Sequence, residues 1–398
     1  MTTVQTPGPT LGVVGGGQLG RMLAEAAGPL GVEVIVLDPT PECPASPLTR
    51  DQIVAPFDDE EGIRELASRA DVLTFEIELA DQEALEQVSE ETGTPVHPRP
   101  STLRTIHDKL VQKRSLADAG IPVPPFRAVE DVEDVRAAIE EYGAPVMLKA
   151  RTGGYDGRGN VPVGSTEDAE DALSAVAGPA MVESFVDFER EVSVIAVKGD
   201  DETRTFTLGE NVHEEEILRE TIVPAGSTDV VSTRAREVAL DVLDLMDGRG
   251  VYGIELFETT DGDILVNEIA PRPHNSGHWT IEGAETSQFA QHVRAVLGWP
   301  LGSTALRGPT VMTNLLGDVT ETGPARLHDA EAILETPGAH LHWYGKREVR
   351  PLRKMGHVTV TAGSRSDGDE EPTTDEEPTT DELLDIAKRL QNAVTFQQ

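Results

Sequence analysis

The chain is poor in cysteine and has no long apolar run. Cys43 is the single cysteine among 398 residues, so an internal disulfide framework and a cysteine-based zinc site are excluded, and a reducing compartment is favoured. No apolar stretch reaches the roughly 18 residues that a membrane helix needs. Residues 1–10 have neither the basic nor the apolar region of a secretory signal. These absences predict a cytoplasmic protein without a membrane partner.

Positive charge is also scarce. Lys and Arg together number 33 against 71 Asp and Glu, which gives a formal net charge of −38. A surface this negative repels phosphate backbones, so we expect no nucleic-acid partner. Only seven of the basic residues are lysines, and an acid-rich, lysine-poor composition is typical of adaptation to salt, which screens charge repulsion. A lysine kept inside a motif is therefore informative here.

The order of predicted elements indicates α/β and α+β architecture in several domains. Residues 10–38 read as strand, glycine turn, helix and strand, which opens a parallel α/β unit. A helix is expected over 101–119, followed by a mixed α+β stretch to about residue 197 and a hairpin whose turn is Thr260-Asp261-Gly262. Residues 366–381 contain DEEPTT twice and predict a solvated linker. The amphipathic piece Glu382–Leu390 after it is compatible with a docked or a free helix.

A glycine-rich turn follows the first strand. Gly15-x-Gly17-x-x-Gly20 opens a helix, and Asp38 ends the next strand about 20 residues on, as a dinucleotide fingerprint requires. A helix N-terminus with exposed N–H groups suits any phosphate ester equally well. Glycines that serve only tight strand–helix packing are the third interpretation. The motif alone therefore leaves an NAD-dependent oxidoreductase open as an alternative.

Two carboxylates follow a later strand of the same unit. Glu76 and Glu78 are two residues apart after the predicted strand Asp71–Phe75, which places both on one side of an extended chain. Ligands of open α/β sheets bind at that edge, where a carboxylate can accept hydrogen bonds from ribose hydroxyls. The alternative is a solvated strand end.

The middle of the sequence carries a distributed nucleotide site. Lys149 closes an apolar strand, and residues 153–159 after it hold four glycines, which allow the backbone to curl around phosphate oxygens. The loop is not a Walker motif, because its lysine precedes the glycines. Downstream, Glu183-Ser184-Phe185-Val186 ends an apolar strand whose backbone could bind an adenine edge, and Glu191 could hold ribose.

Oxygen ligands and an anion-binding loop follow. Glu255 on one strand and Asn267-Glu268 on its hairpin partner indicate a Mg²⁺ site. The next residues, 270–280, supply Arg272 as a planar fork for an oxyanion, with His274 and Asn275 as further hydrogen-bonding groups. Zinc is disfavoured because no third ligand has a recognisable spacing. Residues 346–354 concentrate positive charge and predict a binding site for an anion.

At these residues the sequence resembles the ATP-grasp superfamily and, within it, the enzymes of purine biosynthesis that carboxylate 5-aminoimidazole ribonucleotide. The resemblance runs from about residue 10 to 362 and is carried by GGGQLGRM (15–22), RTGGYDGRG (151–159), NEIAPRPHNSGHWT (267–280) and RKMGH (353–357). It implies a three-domain ATP-grasp fold. The expected bounds are a Rossmann-like N-terminal domain at 1–105, a central lid domain at 106–185, a C-terminal domain at 186–362 and an acidic tail at 363–398.

The resemblance also implies roles for individual residues. For ATP it implies phosphate contacts from Lys109 and Lys149, a lid formed by Gly154, Tyr155, Asp156, Gly157, Arg158 and Gly159, an adenine site at Glu183, Ser184, Phe185 and Val186, ribose binding by Glu191, and His213 at the border of the nucleotide. For the metal, Mg²⁺ or Mn²⁺ in its place, it implies Glu255, Glu268 and Asn267. For bicarbonate and carboxyphosphate it implies Arg272, His274 and Asn275.

The ribonucleotide is implied to bind at Gln18, Leu19, Glu76, Tyr155, Asp156 and Arg158, with its phosphate on Lys346, Arg353 and Lys354. The base for its amine proton is left open between Asp156 and the departing phosphate. A homodimer is expected from the family. Within the superfamily the alternative is a ligase that activates formate, such as a formate-dependent glycinamide ribonucleotide transformylase.

Overall fold

The computed structural model of the chain describes residues 4–153, 159–176, 178–362 and 378–396. Residues 154–158 of the predicted lid loop and most of the repeated acidic segment lie outside the described residues. No helix in the described ranges is long and apolar enough to cross a membrane.

The N-terminal unit is built on a parallel sheet of the order β3-β2-β1-β4. Three of its strands, Thr10–Val14, Glu33–Leu37 and Val72–Phe75, are rich in β-branched residues and almost fully buried, as expected for a parallel sheet covered on both faces. The βαβ opening predicted from residues 10–38 is confirmed. The elements are β1 (Thr10–Val14), α1 (Gln18–Ala27), β2 (Glu33–Leu37), β3 (Asp51–Ile53), α2 (Glu60–Arg69), β4 (Val72–Phe75), α3 (Gln82–Thr92) and α4 (Pro100–His107).

The central unit is a small antiparallel sheet of the order β5-β8-β6-β7. Helices α6 and α7 bury one face of it through a core that includes Val135, Leu148 and Val182. The elements are α5 (Lys109–Asp118), β5 (Phe126–Val129), α6 (Val132–Tyr142), β6 (Val146–Ala150), β7 (Asn160–Val163), α7 (Ala169–Ala175) and β8 (Ala180–Ser184).

The rest of the chain forms a large antiparallel sheet of the order β14-β13-β9-β11-β12-β15-β19-β17, with β10 on β9. A separate pair joins β16 to β18. The elements are β9 (Phe188–Lys198), β10 (Thr203–Thr205), β11 (Gly209–Glu214), β12 (Ile217–Val223), α8 (Asp229–Leu245), β13 (Gly250–Thr259), β14 (Ile264–Ala270), α9 (Thr280–Gly283), α10 (Gln288–Val296), β15 (Thr310–Leu316), β16 (Gly323–Pro324), α11 (Glu331–Leu334), β17 (Ala339–Trp343), β18 (Glu348–Val349), β19 (Lys354–Thr361) and α12 (Thr380–Ala393).

The last helix docks on this sheet. α12 buries Leu383, Ala387 and Leu390 in one core with residues of β15 and β19. Its N-terminus has a capping box in which Thr379 and Glu382 satisfy each other's backbone N–H groups. The amphipathic segment that the sequence left open is thus a packed helix.

The prediction of a single helix over 101–119 is wrong. The chain breaks at Asp108, which has an extended conformation between α4 and α5. Its carboxylate accepts hydrogen bonds from the N–H groups of Leu110 and Val111 and so caps α5, a position at which aspartate is strongly preferred. The break matters because it places Lys109 at the very start of α5.

The N-terminal unit is fused to the large sheet through α10. Phe289 and Val293 of α10 share a core with Leu19 and Leu23 of α1. His292 lies between the units, with Nε2 2.8 Å from Thr74 Oγ1 and Nδ1 accepting from the N–H of Val251. Burial lowers the pKa of His292 to about 3. The ring is therefore neutral near pH 7, and its two nitrogens connect β4 to β13.

Candidate active site

Two buried carboxylates fill the glycine turn. Glu76 accepts hydrogen bonds from the N–H groups of Gly17 and Gly20, the latter at 2.6 Å. Asp38 accepts from Gly16 at 2.9 Å and from Thr40 at 2.8 Å. Gly15 has φ +107°, and a Cβ there would collide with Glu76. The N–H groups that would bind a pyrophosphate are therefore occupied within the chain, which argues against the dinucleotide interpretation.

The role of Glu76 in the turn can be tested through pH. Burial raises the pKa of Glu76 from its ordinary value to about 7, against the opposing effect of the two backbone hydrogen bonds. The native state therefore binds this proton more tightly than the unfolded chain, and its stability contribution falls as pH rises from about 4.5 to about 7. We expect the free energy of unfolding of the wild type, relative to Glu76→Gln, to drop by about 3 kcal/mol between pH 5 and pH 8.

Urea unfolding of both proteins at high salt measures that difference. A difference that stays constant across the range, or rises with pH, would contradict the assignment of a buried Glu76 held mainly in its protonated form below neutrality.

Glu78 serves a different element from Glu76. Strand β4 ends at Phe75, and the Glu78 carboxylate lies 2.8 Å from Nη2 of Arg272. Arg272 also donates from Nη1 to the carbonyl of Pro273 at 3.1 Å. Although burial opposes the charge, the ion pair with Glu78 raises the pKa of Arg272. Glu76 thus binds the glycine turn within the N-terminal unit, whereas Glu78 joins that unit to the loop after β14.

The two lysines predicted to bind phosphate approach one cleft from separate elements. Lys149 at the end of β6 lies 2.7 Å from Glu183 Oε2 and donates to Asn267 Oδ1 at 3.4 Å. Lys109 at the start of α5 lies 3.0 Å from Glu268 Oε1. The hairpin of the large sheet is therefore joined to α5 by the Lys109–Glu268 ion pair and to the central sheet by the Lys149–Asn267 hydrogen bond.

The Glu183 carboxylate forms ion pairs with two lysines. It is 2% exposed, and its second oxygen lies 3.0 Å from Nζ of Lys113. Burial alone would raise the pKa of Glu183, but Lys113 and Lys149 outweigh it and lower that pKa to about 2. In this arrangement the carboxylate faces the lysines, while the exposed Phe185 and the half-buried Ser184 and Val186 continue the edge after β8.

The hairpin brings two carboxylates directly opposite each other. Glu255 of β13 and Glu268 of β14 are register partners. Burial, with repulsion from Glu268 and Glu191 against the pull of His213, raises the pKa of Glu255 to about 7. Desolvation within the cleft acts against the charge of Glu268 although its side chain is half exposed, but Lys109 and Lys149 outweigh this and lower its pKa. Like charges opposite each other across strands are destabilising.

The donor set fits a magnesium ion shared with phosphate oxygens. Glu255, Glu268 and Asn267 supply hard oxygen ligands, and a divalent cation would relieve the repulsion within the pair. In the described part of the chain, no three His, Cys, Asp or Glu side chains are grouped as a complete metal cage. Mg²⁺ characteristically uses one or two carboxylates and takes its other ligands from water and substrate phosphates.

Side-chain amides of Gln288 and Asn314 hydrogen bond to the loop after β14. Gln288 accepts from the N–H of His274 at 2.9 Å and donates to its carbonyl at 2.8 Å. The side-chain amide of Asn275 is paired head to tail with that of Asn314, at 3.0 and 2.8 Å. Asn275 is thus engaged as a support of the loop. Gln288 and Asn314 carry no motif that identifies them in the sequence.

His274 is neutral and faces the hairpin. Its Nε2 lies 3.7 Å from Glu255 Oε1, and its Nδ1 is 2.9 Å from Ser276 Oγ. Burial, assisted by Arg272 and Lys354, holds the pKa of His274 well below its usual range. A Cβ on Gly253 would collide with the His274 side chain, so glycine at that position allows the loop to lie against β13.

Further along the large sheet, Glu191 of β9 is hydrogen bonded to Nδ1 of His213 of β11. Burial opposes protonation of His213, but the bond to Glu191 and the nearby Glu255 raise its pKa. Phe188 and Phe257 stack beside this strip with ring centroids 5.1 Å apart. Glu191, predicted to hold ribose, and His213, predicted to border the nucleotide, are thus paired on the neighbouring strands β9 and β11.

The basic segment ends next to the hairpin. Lys346 Nζ donates to the carbonyl of Lys354 at 2.6 Å and lies over the Tyr344 ring. Arg353 donates to the carbonyl of Glu348 at 2.8 Å. Lys354 interacts electrostatically with Glu255 and His274. In the N-terminal unit, Gln18 begins α1 and the Leu19 side chain lies in the core.

Gly154, Tyr155, Asp156, Gly157 and Arg158 lie outside the described residues, and Gly159 ends the gap, with its carbonyl bound by the N–H of Ala150 at 2.8 Å. The residue that sequence reasoning missed is Lys113, which is 2% exposed. The scarcity of lysine in the chain was the signal that could have found it.

Fold and site together define an ATP-grasp protein. The cleft between the central antiparallel sheet and the large sheet holds its lysines and carboxylates, and three sequence models match the chain. These are the ribonucleotide synthetase preATP-grasp domain at residues 9–107, the ATP-grasp domain at 114–289, and the phosphoribosylaminoimidazole carboxylase C-terminal domain at 310–371.

Individual relatives identify the family within the ATP-grasp proteins. An N5-carboxyaminoimidazole ribonucleotide synthase of Brucella melitensis is 44% identical over 357 residues, covering 89% of this chain and 96% of the relative. The crystal structure of the Thermotoga maritima synthetase is similar, with a TM-score of 0.84 and 41% identity, covering 97% of this chain and 99% of that one. The chain belongs to the family of N5-carboxyaminoimidazole ribonucleotide synthases.

A third structure is that of the Aspergillus clavatus synthase in complex with ADP and 5-aminoimidazole ribonucleotide. It has a TM-score of 0.86 and 36% identity and covers 97% of this chain and 98% of that chain.

Proposed function

We propose that this protein carboxylates 5-aminoimidazole ribonucleotide with ATP and bicarbonate, in purine biosynthesis. One observation supports this most directly. Lys109 and Lys149 come from two different elements and both contact the carboxylate-bearing hairpin, Lys109 through an ion pair with Glu268 and Lys149 through a hydrogen bond to Asn267. Such a gathering of cations and oxygen ligands suits a triphosphate and its metal ion. The membership of the family supports the choice of substrates.

In the first step an oxygen of bicarbonate attacks the γ-phosphorus of ATP, the bond from that phosphorus to the β,γ-bridging oxygen breaks, and ADP leaves with carboxyphosphate formed. Lys109 and Lys149 neutralise the charge on the phosphoryl oxygens, which is the main contribution that a protein makes to phosphoryl transfer. Glu255, Glu268 and Asn267 would hold Mg²⁺, which supplies charge neutralisation at the same oxygens. Arg272, oriented by Glu78, binds the bicarbonate oxygens.

In the second step the carbon–oxygen bond of carboxyphosphate breaks and phosphate leaves. The released carbon dioxide is captured by the exocyclic amine of the ribonucleotide, which loses a proton. We assign the ribonucleotide phosphate to Lys346, Arg353 and Lys354, because they are the concentrated positive charge beside the hairpin. The assignment of Gln18, Leu19, Glu76, Tyr155, Asp156 and Arg158 to the rest of the ribonucleotide stays a prediction. Water must be excluded, or the intermediate hydrolyses.

An assay of ADP release tests the proposal. With ATP, Mg²⁺ and bicarbonate, we expect ADP and N5-carboxyaminoimidazole ribonucleotide to form together when the aminoimidazole ribonucleotide is added. Because the net charge is −38, the assay is run from low to high salt. Omitting bicarbonate and adding formate is the control. Turnover that persists with formate alone would contradict the proposed carboxylation and favour the formate ligase.

Three further expectations concern the protein in solution. The homodimer, the cytoplasmic location and the adaptation to salt stay predictions. Sedimentation of the purified protein over a range of salt concentrations would test the first and the last of them.

A further inference from the structure

A lysine that takes no part in the proposed chemistry is buried behind the nucleotide cleft. Lys113 of α5 is 2% exposed. Its ammonium group donates to the carbonyl of Val266 at 2.8 Å and lies 3.0 Å from Glu183 Oε1. It thus joins α5 to the central sheet and to the strand that carries Asn267 and Glu268. With so little exposure, Lys113 does not itself reach a phosphate in the cleft.

Both lysines proposed to bind the ATP phosphates are already paired with a carboxylate. Lys109 is paired with Glu268, and Lys149 is paired with Glu183. A triphosphate needs these ammonium groups for its own oxygens. When Lys149 turns to the nucleotide, Glu183 loses one of its two counterions, and leaving a buried carboxylate without any counterion is strongly unfavourable.

The two contacts of Glu183 are separate. Lys149 holds one oxygen and Lys113 the other, and the Lys149 side chain is 12% exposed while that of Lys113 is 2% exposed. Lys149 therefore has access to the cleft, whereas Lys113 is fixed by the Val266 carbonyl. One counterion is free to exchange its partner, and the other remains.

We propose that Lys113 is a positioning residue, the permanent counterion of Glu183 that allows Lys149 to exchange Glu183 for the phosphates of the nucleotide. This rests on the proposed function in one respect, that Lys149 binds phosphate. Without Lys113, Lys149 is the sole counterion of Glu183 and is retained there. Nucleotide affinity then falls even though no nucleotide contact has been removed.

The experiment is a double-variant cycle read by nucleotide binding. Wild type, Lys113→Met, Glu183→Gln and the double variant are titrated calorimetrically with the magnesium complex of adenylyl imidodiphosphate, a non-hydrolysable ATP analogue. We expect Lys113→Met to weaken binding at least about tenfold. In the Glu183→Gln background, where no carboxylate retains Lys149, the same change should cost less than about threefold.

Lys198→Met is the matched control. Lys198 is a half-buried lysine that donates to the carbonyls of Leu243 and Met246 at the end of α8, and no ion pair joins it to a carboxylate of the described residues. We expect this variant to lose stability and keep the wild-type affinity for the analogue.

Glu183→Gln alone gives a second test that does not depend on the folding of the Lys113 variant. It should bind the analogue at least as tightly as the wild type, because the adenine site at residues 183–186 was assigned to their backbone, the Glu183 carboxylate faces the lysines, and Lys149 no longer has a carboxylate to leave. Equal losses from Lys113→Met in both backgrounds, or weaker binding by Glu183→Gln alone, would overturn the proposal. Absence of binding by the wild type would overturn the proposed function itself and this inference with it.

Discussion

Glu268→Gln should abolish nearly all ADP formation while leaving a folded protein. Glu268 faces Glu255 across the hairpin and is paired with Lys109. Glutamine keeps the volume and one oxygen ligand but removes the charge that a magnesium ion requires. Metal ions at a transferring phosphoryl group supply several kcal/mol of transition-state stabilisation. We therefore expect kcat to fall about a thousandfold.

The measurement is steady-state ADP release at saturating substrates over a wide range of Mg²⁺ concentrations. Asp261→Asn is the matched control, because Asp261 is an exposed carboxylate in the turn of the same hairpin and should keep wild-type activity. The Glu268 side chain is 49% exposed, so unfolding by urea should change little. Near-normal activity of Glu268→Gln at high Mg²⁺ would remove Glu268 from the proposed metal site.

Arg272→Lys should give the second largest loss. Arg272 uses Nη2 for Glu78 and Nη1 for the Pro273 carbonyl, and its remaining donors are proposed to hold bicarbonate and carboxyphosphate. Lysine keeps the charge but has no planar fork, so it cannot bind Glu78 and two anion oxygens in fixed geometry. Loss of such a preorganised donor costs about a hundredfold to a thousandfold in kcat.

Product formation and ADP release are measured together for Arg272→Lys, because a loosely held carboxyphosphate would be lost to water and uncouple the two. The KM for ATP should change little, since the nucleotide is bound elsewhere. Arg307→Lys, at an exposed arginine, is the control for the substitution itself. A variant with wild-type kcat and full coupling would contradict the role given to Arg272.

Much of the architecture was predictable because it is local. The order of strand, glycine turn, helix and strand over residues 10–38 and the hairpin closed by Thr260-Asp261-Gly262 were predicted, and the structure confirms both. The periodicity of apolar residues and the position of glycines and prolines determine such elements. The helix over 101–119 failed because the capping preference of Asp108 prevailed over a continuous helical pattern.

The partners of the site residues were not predictable in the same way. Glu76 had been assigned to a ligand and is found on the N–H groups of Gly17 and Gly20, more than 50 residues away in sequence. Glu183 had been assigned to adenine, and its carboxylate lies between two lysines. In an acid-rich chain, the residue type determines which groups a side chain can bind. It does not determine which of the few cations lies next to a given carboxylate in the folded protein.

The sequence by itself determined the class of the chain, the oxygen ligands on a hairpin and the scarcity of lysine that makes each remaining one informative. These are properties of composition, spacing and periodicity, which the order of residues contains directly. Only the tertiary structure decided which charges neutralise each other, above all that Lys113 and Lys149 share Glu183. The reason is physical: ion pairs form between groups that folding brings within about 3 Å, and nothing in the local sequence encodes that meeting.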